Sequence, residues 1–256
     1  MIWGYHDYGT GAQAPVPIKL NIQDYCHALI TGSTGSGKSY ALMFLIGCLL
    51  KASPETEIFI CDFKNSEDFR FLKDYPLYFT GEHCYEGVMA YYRRFNDARE
   101  TGQTHKRRIL IFDEYPAYTF FQAMKDKDNK TKYSSDITNA IATILMLGRG
   151  LKHGVWLVTQ RADANLFANG TRDDFLVLIG LGRLSKEQKG MIFTGEEIPN
   201  EPMQRGEGYL LADGHELMKV KFPLISDIKD WKWHIYDILM RNLEHNRDSS
   251  QSTPLA

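Results

Sequence analysis

Four cysteines in 256 residues, Cys26, Cys48, Cys61 and Cys84, are too few and too far apart for a disulfide framework or a metal knuckle. Three of them sit inside apolar runs, where a thiol reads as a small core side chain. Reduced thiols and a cytoplasmic location are therefore expected. No apolar run is long enough to cross a bilayer: the longest, residues 40–50, falls short of the ~20 residues that a spanning helix needs. The opening MIWGYHDYGTGAQ has neither the basic flank nor the apolar stretch of a signal peptide. Asn169-Gly170-Thr171 has the form of a glycosylation acceptor, which matters only in a secreted chain. An excess of charge is also missing. With 30 Lys and Arg against 32 Asp and Glu, any basic surface for nucleic acid must be local. No internal repeat is visible.

What the chain does have is the composition of a globular α/β protein, at 43% hydrophobic and 24% charged residues. Residues 1–20 are Gly- and Pro-rich and read as an extended lead-in. Short apolar strands are expected over 25–31, 57–63, 108–112, 155–159 and 175–180. Between them lie helical patterns: 38–50, apolar nearly all round and so buried, then Val88, Tyr92, Phe95 and Arg99, then Ile137, Ile141, Ile144 and Leu145. Residues 122–136 are polar and Lys-rich and read as a loop. Strands alternating with helices imply a largely parallel sheet covered on both faces. Near the end, Asp213-Gly214 between two strand-like segments suits a two-residue type I′ hairpin. Ile228, Trp231, Ile235, Ile238 and Leu239 then form one helical stripe. The expected organisation is a lead-in over 1–20, an α/β domain over 21–225, an amphipathic helix over 226–244 and a polar, disordered tail over 245–256.

The segment Gly32-Ser33-Thr34-Gly35-Ser36-Gly37-Lys38-Ser39 fits G-x-x-x-x-G-K-[ST], with an apolar strand before it and a helix after it. Glycines allow the tight turn that aims several backbone N–H groups at phosphate, and the helix start adds its positive dipole end. In such a loop Lys38 reaches the β- and γ-phosphates and the Ser39 hydroxyl ligates magnesium. The nucleotide implied is ATP with Mg²⁺. RRILIFDE supplies the second half of the site: Asp113 at a strand end to hold the magnesium through water, Glu114 to orient and deprotonate an attacking water. A carboxylate in that place favours hydrolysis over transfer to a small acceptor.

The order of motifs resembles the FtsK/HerA superfamily of DNA-pumping ATPases, from about Val16 to Asp227. HALITGSTGSGKS looks like that family's phosphate-loop strand and turn, and IFICDFK is similar to its second-strand Asp-x-Lys motif. RRILIFDEY looks like its magnesium strand, LGRGLKHGVWLVTQR like its Gly-Arg segment and Gln-ended strand, and GEGYLLADG with VKFPLI like its closing hairpin. The resemblance implies a RecA-like P-loop NTPase fold: a mostly parallel central sheet, helices on both faces, and a C-terminal β-hairpin and helix. It also implies a homo-oligomeric ring, a hexamer in the family, working on DNA with a protein partner that selects it. Gln160 becomes a candidate sensor of the γ-phosphate and of the attacking water, against the plainer reading of a Gln facing solvent at the sheet edge. Arg149 becomes a candidate arginine finger acting in trans, against the plainer reading of a cation complementing a helix end. Arg172, Arg183 and Lys189 are alternatives for that role. The membrane segments, winged-helix module and added β-barrel of larger relatives are not visible. The match is to a small motor like those of mobile elements, serving plasmid transfer or viral genome packaging.

Lys125, Lys127, Lys130 and Lys132 come after the Glu114 strand. In ring motors of the resembled family, loops at this end of the sheet line the pore, so these lysines are the candidate DNA contacts. A solvated surface loop is the alternative. Two other functions remain open from sequence: a nucleotide-dependent switch or scaffold in a nucleic-acid assembly, and a small-molecule P-loop kinase. Against the kinase stand the Asp113-Glu114 pair and the lack of an Arg-rich lid.

Overall fold

Among the described residues ten short strands pair into one sheet, in the order β2 (Pro17–Lys19), β1 (Ile2–His6), β10 (Met218–Lys221), β9 (Glu207–Ala212), β8 (Val177–Leu181), β3 (Ala28–Gly32), β7 (His153–Thr159), β6 (Arg108–Asp113), β4 (Glu57–Asp62), β5 (Tyr78–Thr80). The computed structural model describes residues 1–7, 14–102, 106–162 and 171–251; residues 169–170 of the acceptor sequence and 252–256 of the expected tail lie outside them. The core of the sheet is parallel and comprises β3 (Ala28–Gly32), β4 (Glu57–Asp62), β5 (Tyr78–Thr80), β6 (Arg108–Asp113), β7 (His153–Thr159) and β8 (Val177–Leu181). Strands buried on both faces need continuous apolar sequence, and β3, β4, β7 and β8 are buried at every position.

Helices cover both faces. On one side α1 (Lys38–Ala52) and α6 (Ile228–Gln251) pack with β1 (Ile2–His6) and the hairpin β9 (Glu207–Ala212)–β10 (Met218–Lys221). On the other lie α2 (Cys84–Thr101), α3 (Tyr115–Asn129), α4 (Tyr133–Leu147) and α5 (Lys186–Ile192). Trp231 of α6 stacks on Phe44 of α1 at 6.1 Å, and its ring fills the space a Cβ on Gly47 would take. All four cysteines are buried and free. No helix among the described residues is long and apolar enough to cross a membrane.

Four local features depart from the sequence reading. The lead-in adds two antiparallel edge strands, β1 and β2 (Pro17–Lys19), beyond the hairpin. Residues 122–136 are not a loop: α3 runs to Asn129, Lys130 turns the chain with φ 56°, and α4 starts at Tyr133. Gln, Met, Lys and Ala are good helix formers, and a polar outer face does not prevent a helix that is buried on its other side. Asp126 then fastens the turn, accepting from Thr131 Oγ1 (2.5 Å), Tyr133 N (3.2 Å) and Ser134 N (2.8 Å). At Asp213-Gly214 only Gly214 has positive φ (74°), so the turn is not type I′, which needs both. His215 N closes it on Ala212 O at 2.9 Å. Finally, α6 continues to Gln251, through a stretch with no Pro or Gly to stop it.

Candidate nucleotide site

The parallel strands end at one edge, and the candidate residues gather there. β7 lies between β3 and β6, so the loop after β3 and the carboxylates after β6 flank the end of β7. A cavity of about 260 Å³ opens at this edge. It is lined by Thr34, Gly35, Gly37, Lys38, Ser39, Asp113, Glu114 and Gln160, together with Tyr40, Lys64, Ser66, Asp68 and Arg205.

Packing dictates the glycines of the loop. A Cβ on Gly32 (φ 156°) would lie 2.6 Å from both Leu181 O and Ser36 Oγ. Gly37 stands before α1 with φ 100°, a left-handed region that side chains rarely adopt, and a Cβ there would lie 3.0 Å from Gly206 N. Lys38 Nζ donates to Gly32 O at 2.5 Å and Ser33 O at 3.2 Å. Burial lowers its pKa, opposed by the Glu114 and Asp113 carboxylates.

Glu114 occupies the left-handed region itself (φ 60°, ψ 40°). A non-glycine residue there costs on the order of 1–3 kcal/mol, and such strain collects at functional sites. The kink turns the chain from β6 into α3 while Glu114 N still bonds Val158 O at 2.9 Å. One carboxylate oxygen, Oε1, receives both Lys64 Nζ (2.6 Å) and Gln160 Nε2 (2.9 Å). Gln160 Oε1 in turn accepts from Thr34 Oγ1 at 3.1 Å. A continuous path therefore runs from the phosphate loop through Gln160 to Glu114, and Gln160 faces the cavity rather than solvent at a sheet edge. The chain on either side of it is fixed as well. Thr159 Oγ1 donates to Arg161 O (2.7 Å), and the Gln188 amide grips both N and O of Ala162 (2.9 and 2.7 Å).

Asp113 sits opposite Asp62 in the β4–β6 register. Burial pushes the Asp113 carboxyl up to about 7, and the neighbouring Glu114 and Asp62 carboxylates add to the shift. Asp62 is fully buried; its Oδ2 accepts from Ser66 N (2.8 Å) and Tyr78 Oη (2.9 Å), while Oδ1 has no hydrogen-bond partner. Clustered carboxyls with a spare buried oxygen fit a divalent cation and its hydration shell. No group of three or more His, Cys, Asp or Glu among the described residues is arranged to hold a metal. Asp113 and the Ser39 hydroxyl line the same cavity and could together hold Mg²⁺, with phosphate and water supplying the other ligands.

Arg149 is elsewhere. It opens a 3₁₀ turn before β7, is exposed, and its charge lowers the pKa of His27 at the start of β3, where burial is the larger cause. It therefore stands at the opposite end of the sheet from Gly32–Ser39. Arg172 is committed to Met191 O and Ile192 O (both 3.1 Å), and Lys189 to Pro199 O (2.9 Å). Arg183 is exposed just after β8.

The lysines of the expected DNA loop are divided. Lys125 on α3 pairs with Glu82 at 2.5 Å and lies over the Phe121 ring. Lys127, Lys130 and Lys132 are exposed. Tyr133 stacks on Tyr85 near the start of α2, which comes after the C-terminal end of β5, so the turn stands at the same end of the sheet as Glu114.

Comparison with known proteins finds similar sequences and folds. Residues 8–100 match the FtsK/SpoIIIE family. The chain is similar to FtsK/SpoIIIE proteins. The FtsK domain-containing protein YdcQ of Bacillus subtilis (strain 168) is 25% identical over 232 residues, which are 84% of this chain and 46% of YdcQ. The chain thus spans about half of that relative's length. The pCW3 conjugation coupling protein TcpA, solved in monomer form with ATPγS, superposes with a TM-score of 0.70 at 19% identity, over 92% of this chain and 69% of the other. The cytoplasmic domain of the Type VII secretion ATPase EccC of Thermomonospora curvata gives 0.63 at 21% identity, over 94% and 30%. These structural likenesses show the fold, a P-loop ATPase fold with a mostly parallel sheet.

Sequence reasoning did not single out Lys64, Asp62 or Arg205 as site residues. The Asp62-x-Lys64 motif was the signal for the first two. Arg205 lies 167 residues beyond Lys38 and had none.

Proposed function

We propose that this chain is the ATP-hydrolysing subunit of a ring motor that moves DNA. The observation that carries hydrolysis is the hydrogen-bonded path Thr34–Gln160–Glu114 along the cavity edge. In this reading the loop N–H groups and Lys38 bind phosphate, and Ser39 and Asp113 hold magnesium, which neutralises phosphate charge when bound. Glu114, with Oε2 free of Lys64 and Gln160, holds a water and takes its proton. Gln160 links that carboxylate to the loop, so phosphate contacts at Thr34 reach the base. Arg149, distant from its own loop, supports an assembly in which one subunit completes the next. Similarity to a conjugation coupling protein supports DNA as the substrate and transfer of a mobile element as the process; the cytoplasm is the compartment proposed.

The test is ATPase rate with single-stranded DNA, double-stranded DNA and neither, read together with particle mass, with Lys38→Ala as the inactive control. Stimulation by one DNA form in a multi-subunit particle is expected. A rate indifferent to DNA would overturn the motor and leave a nucleotide-dependent switch. The likeness to a secretion ATPase makes a polypeptide substrate the second reading, and that arm would then be measured.

Lys127, Lys130 and Lys132 are the proposed DNA contacts. Their combined replacement by Ala is expected to weaken DNA binding and to lower the salt slope by about one unit per lost phosphate contact. Adding Lys125→Ala should change little, because that ammonium is engaged by Glu82. A salt slope equal to the parent's would return the turn to solvated surface.

A further inference from the structure

Arg205 lines the nucleotide cavity although it belongs to the turn that opens β9. That turn lies on the phosphate loop. Gly206 N donates to Ser36 O at 2.8 Å, and Phe222 N donates to Gly206 O at 2.9 Å, so the turn is fastened to the loop and to the segment after β10. A Cβ on Gly37 would lie 3.3 Å from Arg205 Cγ, tighter than ordinary contact, so the glycine makes room for the arginine stem. The other cations of the cavity are engaged: Lys64 by Glu114, Lys38 by two loop carbonyls. Arg205 is exposed, and among the described residues no carboxylate pairs with it. A guanidinium held at a phosphate loop without an acidic partner suits a charge-assisted, two-pronged contact with phosphate oxygens.

We propose that Arg205 binds the nucleoside-proximal phosphates of the nucleotide held by its own subunit's loop. The inference rests on the reading of Gly32–Ser39 as the phosphate site. Its placement comes from the two flanks of the cavity. Glu114 and Gln160 stand across the loop beyond Thr34, where hydrolysis of a terminal phosphate needs them. Arg205 stands on the other flank, beside Ser36 and Gly37. It therefore meets the part of the nucleotide that ATP and ADP share. The same contact ties the β9–β10 hairpin to nucleotide occupancy, whichever nucleotide is bound. Ile225 N, donating to Tyr40 Oη at the start of α1, joins the chain after the hairpin to the same flank.

The test measures dissociation constants for ATPγS and for ADP, each with magnesium, by calorimetry on the parent, Arg205→Met and Arg205→Lys. Arg205→Met keeps the stem against Gly37 and removes the charge. It should weaken both nucleotides by about tenfold, the scale of one charge-assisted hydrogen bond. Arg205→Lys should recover part of the loss. Unchanged affinity for both nucleotides would overturn the proposal. Weakening of ATPγS alone would also overturn it, because the contact would then be to the terminal phosphate. Lys38→Ala, measured alongside, separates the two levels: if it still binds ATPγS as the parent does, the phosphate-site reading itself fails.

Discussion

Glu114→Gln is expected to bind ATP and magnesium as the parent does and to hydrolyse about 10²–10⁴-fold more slowly, the usual contribution of a positioned base. The amide keeps the shape of the carboxylate, and α3 should remain in place, because residue 114 at its N-cap makes no side-chain hydrogen bond to the helix. What it cannot do is take a proton. It also loses the ion pair to Lys64, whose side chain is about half exposed and can turn to water. Binding and chemistry are therefore expected to separate, with nucleotide affinity retained and single-turnover hydrolysis lost. A trapped nucleotide should also favour the assembled, DNA-bound state. Turnover at the parental rate would remove Glu114 from the role of base.

Arg149→Ala is expected to lose about 10³–10⁵ in turnover, the range an arginine finger supplies in other P-loop enzymes. Its own subunit cannot use it, because it stands at the N-terminal end of β7 beside His27, across the sheet from Gly32–Ser39. A neighbour in a ring can present its nucleotide to that end. The decisive experiment mixes Arg149→Ala with Lys38→Ala, each expected to be inactive alone. Some interfaces in mixed rings pair an intact loop with an intact arginine, and activity should partly return. Full activity of Arg149→Ala by itself would end the idea and turn attention to Arg183, the one alternative that no hydrogen bond occupies among the described residues. Arg172 is a poor substitute, because its guanidinium caps the end of α5.

The α3–α4 hairpin shows where local reading failed. Polar, Lys-rich residues after Glu114 look like a loop to any measure of hydropathy. They form helix because Tyr118 and Gln122 are buried on the inner side, and because Asp126 can reach forward to the start of α4. The turn at Asp213-Gly214 failed for a related reason. Its dipeptide permits type I′, but the pairing of Met218 with Leu210 leaves more chain between the strands than a two-residue turn uses.

Sequence by itself determined the parallel sheet, the phosphate loop and its Asp113-Glu114 partner. Each depends on residues close together in the chain: an apolar run that must be buried, glycines that must turn, a lysine and a serine at a helix start. Only the tertiary structure decided which distant residues meet them. Strand order put β7 between β3 and β6, and so brought Gln160 into hydrogen bonds with both Thr34 and Glu114. The antiparallel return of β9 beside β8 carried Arg205 onto the flank of the same loop. Such pairings are set by how the whole sheet closes over its two cores, and no local pattern of residues encodes them.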